Sequence, residues 1–104
     1  MITLEVRVEE AAIFDPLREK FQKEIKYYQE EESFDGVTIM QMVIELTEVT
    51  LPLIASIIIA KINTKNSITV KCKNGTEITA NISEAKTLEQ VETLLLLKCK
   101  DDDD

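Results

Sequence analysis

From Leu53 to Ile62 every position is apolar except Ser56 and Lys61, and no other stretch constrains the fold as strongly. Counting Leu51, the run covers about 12 residues, short of the roughly 20 that a helix needs to cross a bilayer. Glu45, Glu48 and Lys61 also crowd it. Thr50-Leu51-Pro52 marks its start, because Pro52 lacks an N–H and is tolerated in a helix only within the first turn. A helix apolar on nearly all sides must be covered by protein, either at the centre of a domain or against a second subunit. A narrow sheet covers only one side of it. Part of the surface formed by Leu53, Ile54, Ile57, Ile58 and Ile62 is therefore expected to bury against another copy or a partner protein.

The remaining segments carry their own periodicities. Ile2, Leu4, Val6 and Val8 alternate with Thr3, Glu5, Arg7 and Glu9, the period-two pattern of a half-buried strand. Asp15-Pro16 can open a helix, with Asp15 as cap and Pro16 at the first position. Leu17, Phe21, Ile25 and Tyr28 then recur at helical spacing, so one amphipathic helix is expected through Tyr28. Val37–Leu46 is rich in β-branched residues, yet Thr38, Gln41, Glu45 and Glu48 lie three or four apart. A strand would mix Gln41 and Glu45 with Ile39 and Val43 on one face, so helix is expected here too. Ile68, Val70 and Cys72 alternate before Asn74-Gly75, and Ile78, Ala80 and Ile82 alternate after it. Asn-Gly between two such runs predicts a hairpin with a type I′ turn. Thr87-Leu88-Glu89-Gln90 has the form of a capping box, and Leu88, Val91, Leu94, Leu95 and Leu97 supply the buried stripe of the helix behind it.

The expected architecture is α+β, in the order β-α-α-α-β-β-α. A small three-stranded sheet packs on helices, with one all-apolar helix in the centre. Residues 1–100 form a single domain, as a chain of 104 residues allows. Asp101–Asp104, preceded by Lys100, resembles the interior of an acidic affinity tag and is set apart from it.

Composition narrows the chemistry. Twelve basic residues stand against 20 acidic ones, a formal net charge of −8, and no Lys or Arg run counters it, so neither nucleic acid nor membrane is expected as a partner. The chain holds no His. That removes the usual base for a Ser or Cys nucleophile and leaves no four-ligand zinc set, so catalytic residues, metals and cofactors are expected to be absent. Glu30, Glu31, Glu32 and Asp35 read as a solvated helix end, and Gly36 and Gly75 as turn residues. Met1–Glu5 has no basic or strongly apolar leader character. The expectation is therefore a cytoplasmic protein with reduced Cys72 and Cys99, in which the sequons Asn74-Gly75-Thr76 and Asn81-Ile82-Ser83 carry no sugar.

In one respect the chain resembles a known family. Leu53-Ile54-Ala55 through Ile62, Ile68-Thr69-Val70-Lys71, Asn74-Gly75, Ile78-Thr79-Ala80 and Thr87-Leu88-Glu89-Gln90 are similar to the effector-associated constant component family of bacterial conflict systems. The leading strand and the Asp15-Pro16 helix fit the same pattern. The family usually has Asp-Gly at the hairpin, and a Trp with several Arg at the end of the long helix. This chain has Asn74-Gly75 and Ala60-Lys61-Ile62 there. The resemblance implies a non-enzymatic adaptor of a conflict or antiviral defence system. Such an adaptor would self-associate as a homo-oligomer and dock an effector or signalling protein of the same system. The alternative left open by the residues is a small acidic immunity or inhibitor protein that blocks a toxin or nuclease.

Overall fold

The computed structural model describes residues 1–32, 36–64, 68–73, 75–79 and 87–99. Strand β1, Ile2–Arg7, runs into a 3-10 segment, Val8–Phe14, and a short helix α1, Asp15–Lys20. Strands β2, Ile25–Glu32, and β3, Thr38–Ile44, come next. Helix α2, Leu51–Asn63, strand β4, Thr69–Cys72, and helix α3, Leu88–Lys98, complete the order. The strands form one antiparallel sheet in the order β2-β3-β1-β4. The α+β class is as expected from the sequence, but among the described residues the sheet has four strands, and two segments expected to be helical lie in it.

The first of these is β2. The expected helix from Asp15 through Tyr28 ends at Lys20, and Ile25 to Glu32 is strand. Ile25 and Tyr28 lie three apart, a spacing that reads as helical and that an unbroken strand would send to opposite faces. A register shift between Ile25 and Tyr27 resolves this: Ile25 pairs with Ile44 and Tyr28 with Met42, both inward residues of β3. A bulge thus does the work assigned to helical periodicity. Phe14 meets Tyr28 edge-on, with ring centroids 6.1 Å apart, and the Arg18 guanidinium lies 4.5 Å from the Tyr28 ring centre.

The second is β3. Met42 and Ile44 are buried on the helix-covered face, while Ile39, Gln41 and Val43 share the other. Gln41 among apolar neighbours argued against a strand only if that face belonged to the core, and it does not. Gln41 sits opposite Glu5 of β1 and donates a hydrogen bond to its carboxylate.

Helix α2 starts where Pro52 requires. In the turn before it, the Thr50 hydroxyl donates to the Glu45 carbonyl at 2.8 Å and accepts from the Thr47 N–H at 2.9 Å. These bonds satisfy a fully buried Thr50. The capping box of α3 is present, with Gln90 N–H on the Thr87 hydroxyl and Thr87 N–H on the Gln90 side chain, each at 3.1 Å. Val91 and Leu95 are buried and Leu94 is half-buried, but Leu88 is exposed and Leu97 is 73% exposed, which corrects the place of both in the buried stripe. The chain reverses at Gly75, whose φ of 87° is one that residues with a Cβ resist. Beyond it Lys71 bridges Glu77, and the Ile78 N–H reaches the Val70 carbonyl at 2.9 Å. The rest of the expected second arm, from Ala80 to Ile82, lies outside the described residues, as do Asn74 and Asp101–Asp104.

One core joins Ile2, Leu4 and Val6 of β1, Met42 and Ile44 of β3 and Val70 of β4 to Ile54 and Ile58 of α2 and Leu95 of α3. Phe14 and Leu17 close it at the β2 end. Cys72 and Cys99 form a disulfide, contrary to the expectation of reduced thiols. It ties β4 to the end of α3, and both residues are buried. The sequence holds no signal for this pairing, because the two residues are 27 positions apart and only the packing of α3 beside β4 brings them together.

Candidate functional site

The five α2 residues expected at an interface divide into two groups. Ile54, Ile57 and Ile58 are buried in the protein's own core, while Leu53 and Ile62 are half-buried and packed against it. Pro52, Ser56, Ala60 and Asn63 form the solvent-exposed side of the helix. The apolar girth of α2 is therefore consumed inside the domain for Ile54, Ile57 and Ile58, which corrects the expectation that they face a partner. The physical reason is that the core side of the sheet, the 3-10 segment and α3 together cover this part of the helix. Ile54, Ile57 and Ile58 join one core with β1, β3 and β4, Lys61 pairs with Glu10, and α2 packs along α3.

The surface that remains is the second face of the sheet. Alternation places Thr3 and Glu5 of β1, Ile39, Gln41 and Val43 of β3, Tyr27, Gln29 and Glu31 of β2, and Thr69 and Lys71 of β4 on this side. Among the described residues all three helices contribute to the core on the other side. Tyr27, Ile39 and Val43 are half-buried, and none of them joins the core cluster. Their packing comes from cross-strand neighbours: Tyr27 pairs with Val43, and Glu31 with Ile39. Between Val43 and Ile39 a polar row crosses this face, in which Glu5 accepts from Gln41 and lies 3.7 Å from the Lys71 ammonium.

Charge is ordered along β2. The Tyr27 hydroxyl donates to the Glu31 carboxylate, and that hydrogen bond, followed by desolvation and the Glu31 charge, raises the Tyr27 pKa above its ordinary 10.0. Lys26, at the bulge, pairs with Glu45 at 3.0 Å. Glu30, Glu31 and Glu32, expected at a helix end, instead occupy the last three positions of an edge strand. Asp35 lies outside the described residues. A shallow depression of ≈ 330 Å³ near the β2 entry is lined by Glu19, Lys20, Gln22, Lys23 and Glu24 and is wide open to solvent.

Away from the sheet, Lys61 of α2 is buried and paired with Glu10 of the 3-10 segment. Burial lowers the pKa of its ammonium, and the Glu10 carboxylate is its counter-charge. Among the described residues no group of three or more His, Cys, Asp or Glu is arranged to hold a metal ion, and no helix is long and apolar enough to cross a membrane. Comparison of the chain with family models, with curated proteins and with solved structures returns no match.

Sequence reasoning missed Tyr27, Ile39 and Val43 as surface residues. Their signal was present as two short alternations, Tyr27-Gln29-Glu31 and Ile39-Gln41-Val43, each overlaid by a helical spacing that took precedence.

Proposed function

We propose that this protein is a non-enzymatic adaptor that binds another protein through the uncovered face of its sheet. The observation that carries the reading is the half-buried Tyr27–Val43 pair and Ile39, apolar side chains held outside the core on a face that no described helix packs against. Antiparallel sheets commonly leave one face to water, but that face is then normally polar. Here Tyr27 and Val43 pair on one side of a polar row of Gln29, Gln41 and Glu5, and Ile39 lies on the other side of it beside Arg7, so apolar side chains interleave with hydrogen-bonding ones as they do across protein interfaces. With the resemblance described above, the partner is an effector or signalling protein of a bacterial conflict or antiviral defence system. Self-association belongs to the same reading, with the sheet face and half-buried Leu53 and Ile62 as its surfaces. Cytoplasmic placement belongs to it as well, although the Cys72–Cys99 disulfide favours an oxidising compartment.

The test is co-purification with a candidate effector, comparing Val43→Lys and Ile39→Lys with the unaltered chain. Both changes should abolish the complex and leave the circular dichroism spectrum unchanged. A complex that survives both changes would sink the sheet-face reading.

A second reading, the acidic inhibitor of a basic toxin or nuclease, is favoured by the Glu30-Glu31-Glu32 run and the net charge of −8. It predicts one-to-one binding that shuts off the target's activity, whereas an adaptor leaves its partner active.

A further inference from the structure

We propose that the outer edge of β2 takes up an extended, basic segment of the partner as an added strand. The inference deepens the binding reading above and rests on it. Four observations converge on this edge. β2 ends the sheet, and among the described residues nothing pairs with its outer side. The other end is different, since the segment after Gly75 folds back on β4 through the Lys71–Glu77 bridge and the bond from Ile78 to Val70. The free edge is also long: eight residues, or about 26 Å at roughly 3.3 Å per residue, well beyond the short edges by which sheets avoid pairing. Finally its charge is one-sided toward the end, with Gln29 and Glu30 exposed, Glu31 on the open face and Glu32 exposed at the tip.

That charge selects the occupant. Edge strands are protected from self-pairing by charged side chains, and here those of the last three positions are all negative, the one cation, Lys26, lying at the bulge and paired with Glu45. A second copy pairing antiparallel through the acidic end, about Glu31, would set Glu31 against itself and Glu30 against Glu32, on a chain that already carries −8. A strand with Lys or Arg at alternate positions sets them all on one face, where they meet Glu30 and Glu32. Main-chain hydrogen bonds to the free edge supply affinity, and the glutamates supply specificity.

The experiment uses the full chain and a synthetic peptide of about ten residues that alternates Lys and Val. Amide hydrogen exchange should slow within Ile25–Glu32 and nowhere else to the same degree, and binding should weaken steeply with salt. A peptide of the same sequence, N-methylated at alternate residues to remove its donors toward β2, keeps the charge and loses the strand. It should bind about tenfold or more weakly, as should the unmethylated peptide to the Glu30→Gln, Glu31→Gln, Glu32→Gln triple variant. Equal binding of methylated and unmethylated peptides, protection outside β2, or no binding at millimolar peptide would each overturn the proposal. The broader reading fails separately. A native complex that is lost on Val43→Lys but indifferent to the triple Gln variant keeps the sheet face and discards the edge. Indifference to both sets of changes discards the two together.

Discussion

The Lys61 ammonium, buried on α2, meets the Glu10 carboxylate of the 3-10 segment, so the one charge in the main apolar helix is neutralised by the connection between β1 and α1. Removing one partner of such a pair costs more than the pair contributes, because the remaining charge stays buried without compensation. Glu10 is a quarter exposed, which places the cost at the lower end. Glu10→Gln should destabilise the fold by about 3 kcal/mol. Glu10→Gln combined with Lys61→Met should recover most of that loss. Urea midpoints measure both, and additive effects in the double variant would show that the pair is not coupled.

Tyr27 should titrate above the ordinary phenol value of 10.0, since its hydroxyl donates to Glu31 and ionisation would set two anions side by side. Because the folded-state pKa is raised, the stabilisation from this bond is present below the unfolded value and is lost as pH rises through the folded one. Glu31→Gln should return the Tyr27 transition toward 10.0. Ring proton shifts followed against pH read this directly. An unmoved transition in the variant would remove the bond from the open face.

Cys72→Ala with Cys99→Ala should lower stability by about 3.5 kcal/mol, the chain-entropy value for a closed loop of this length. The residues are 27 apart and fully packed, so reductant should act slowly under native conditions and quickly in urea. Mass spectrometry of the natively isolated protein before alkylation reports the bond itself. Two alkylated thiols would overturn the pairing.

Ile58 and Ile39 separate the two roles that apolar residues play here. Ile58→Ala, at a fully buried site, should cost about 2–5 kcal/mol, whereas Ile39→Ala, on the open face, should cost about 1 kcal/mol or less. Chemical denaturation of the two variants makes the comparison. Similar losses would mean that the open face is covered.

Gly75→Val should destabilise by about 1–3 kcal/mol through backbone strain alone, since φ is 87° and a Cβ built there meets no atom within 4 Å. A smaller loss in Gly75→Asn, a residue that accepts positive φ, checks the cause with the same denaturation assay.

Where one local rule operated without competition, the sequence alone determined the structure. The alternation of Ile2 to Val6, the Thr87–Gln90 capping box, the start of α2 around Pro52 and the reversal at Gly75 each depend on a few adjacent residues. Tertiary structure decided the rest, for identifiable reasons. Leu17, Phe21, Ile25 and Tyr28 satisfy a helical spacing, and only the pairing of β2 with β3, with its bulge after Ile25, shows that a strand satisfies it as well. Gln41 was legible as polar, but whether its face belonged to the core depended on which side of the sheet α2 would cover. The same choice of side buried Ile54, Ile57 and Ile58 and left Tyr27, Ile39 and Val43 outside the core. A sheet has two faces of equal local geometry, and the long-range packing of a single apolar helix makes one of them the interior and the other the surface.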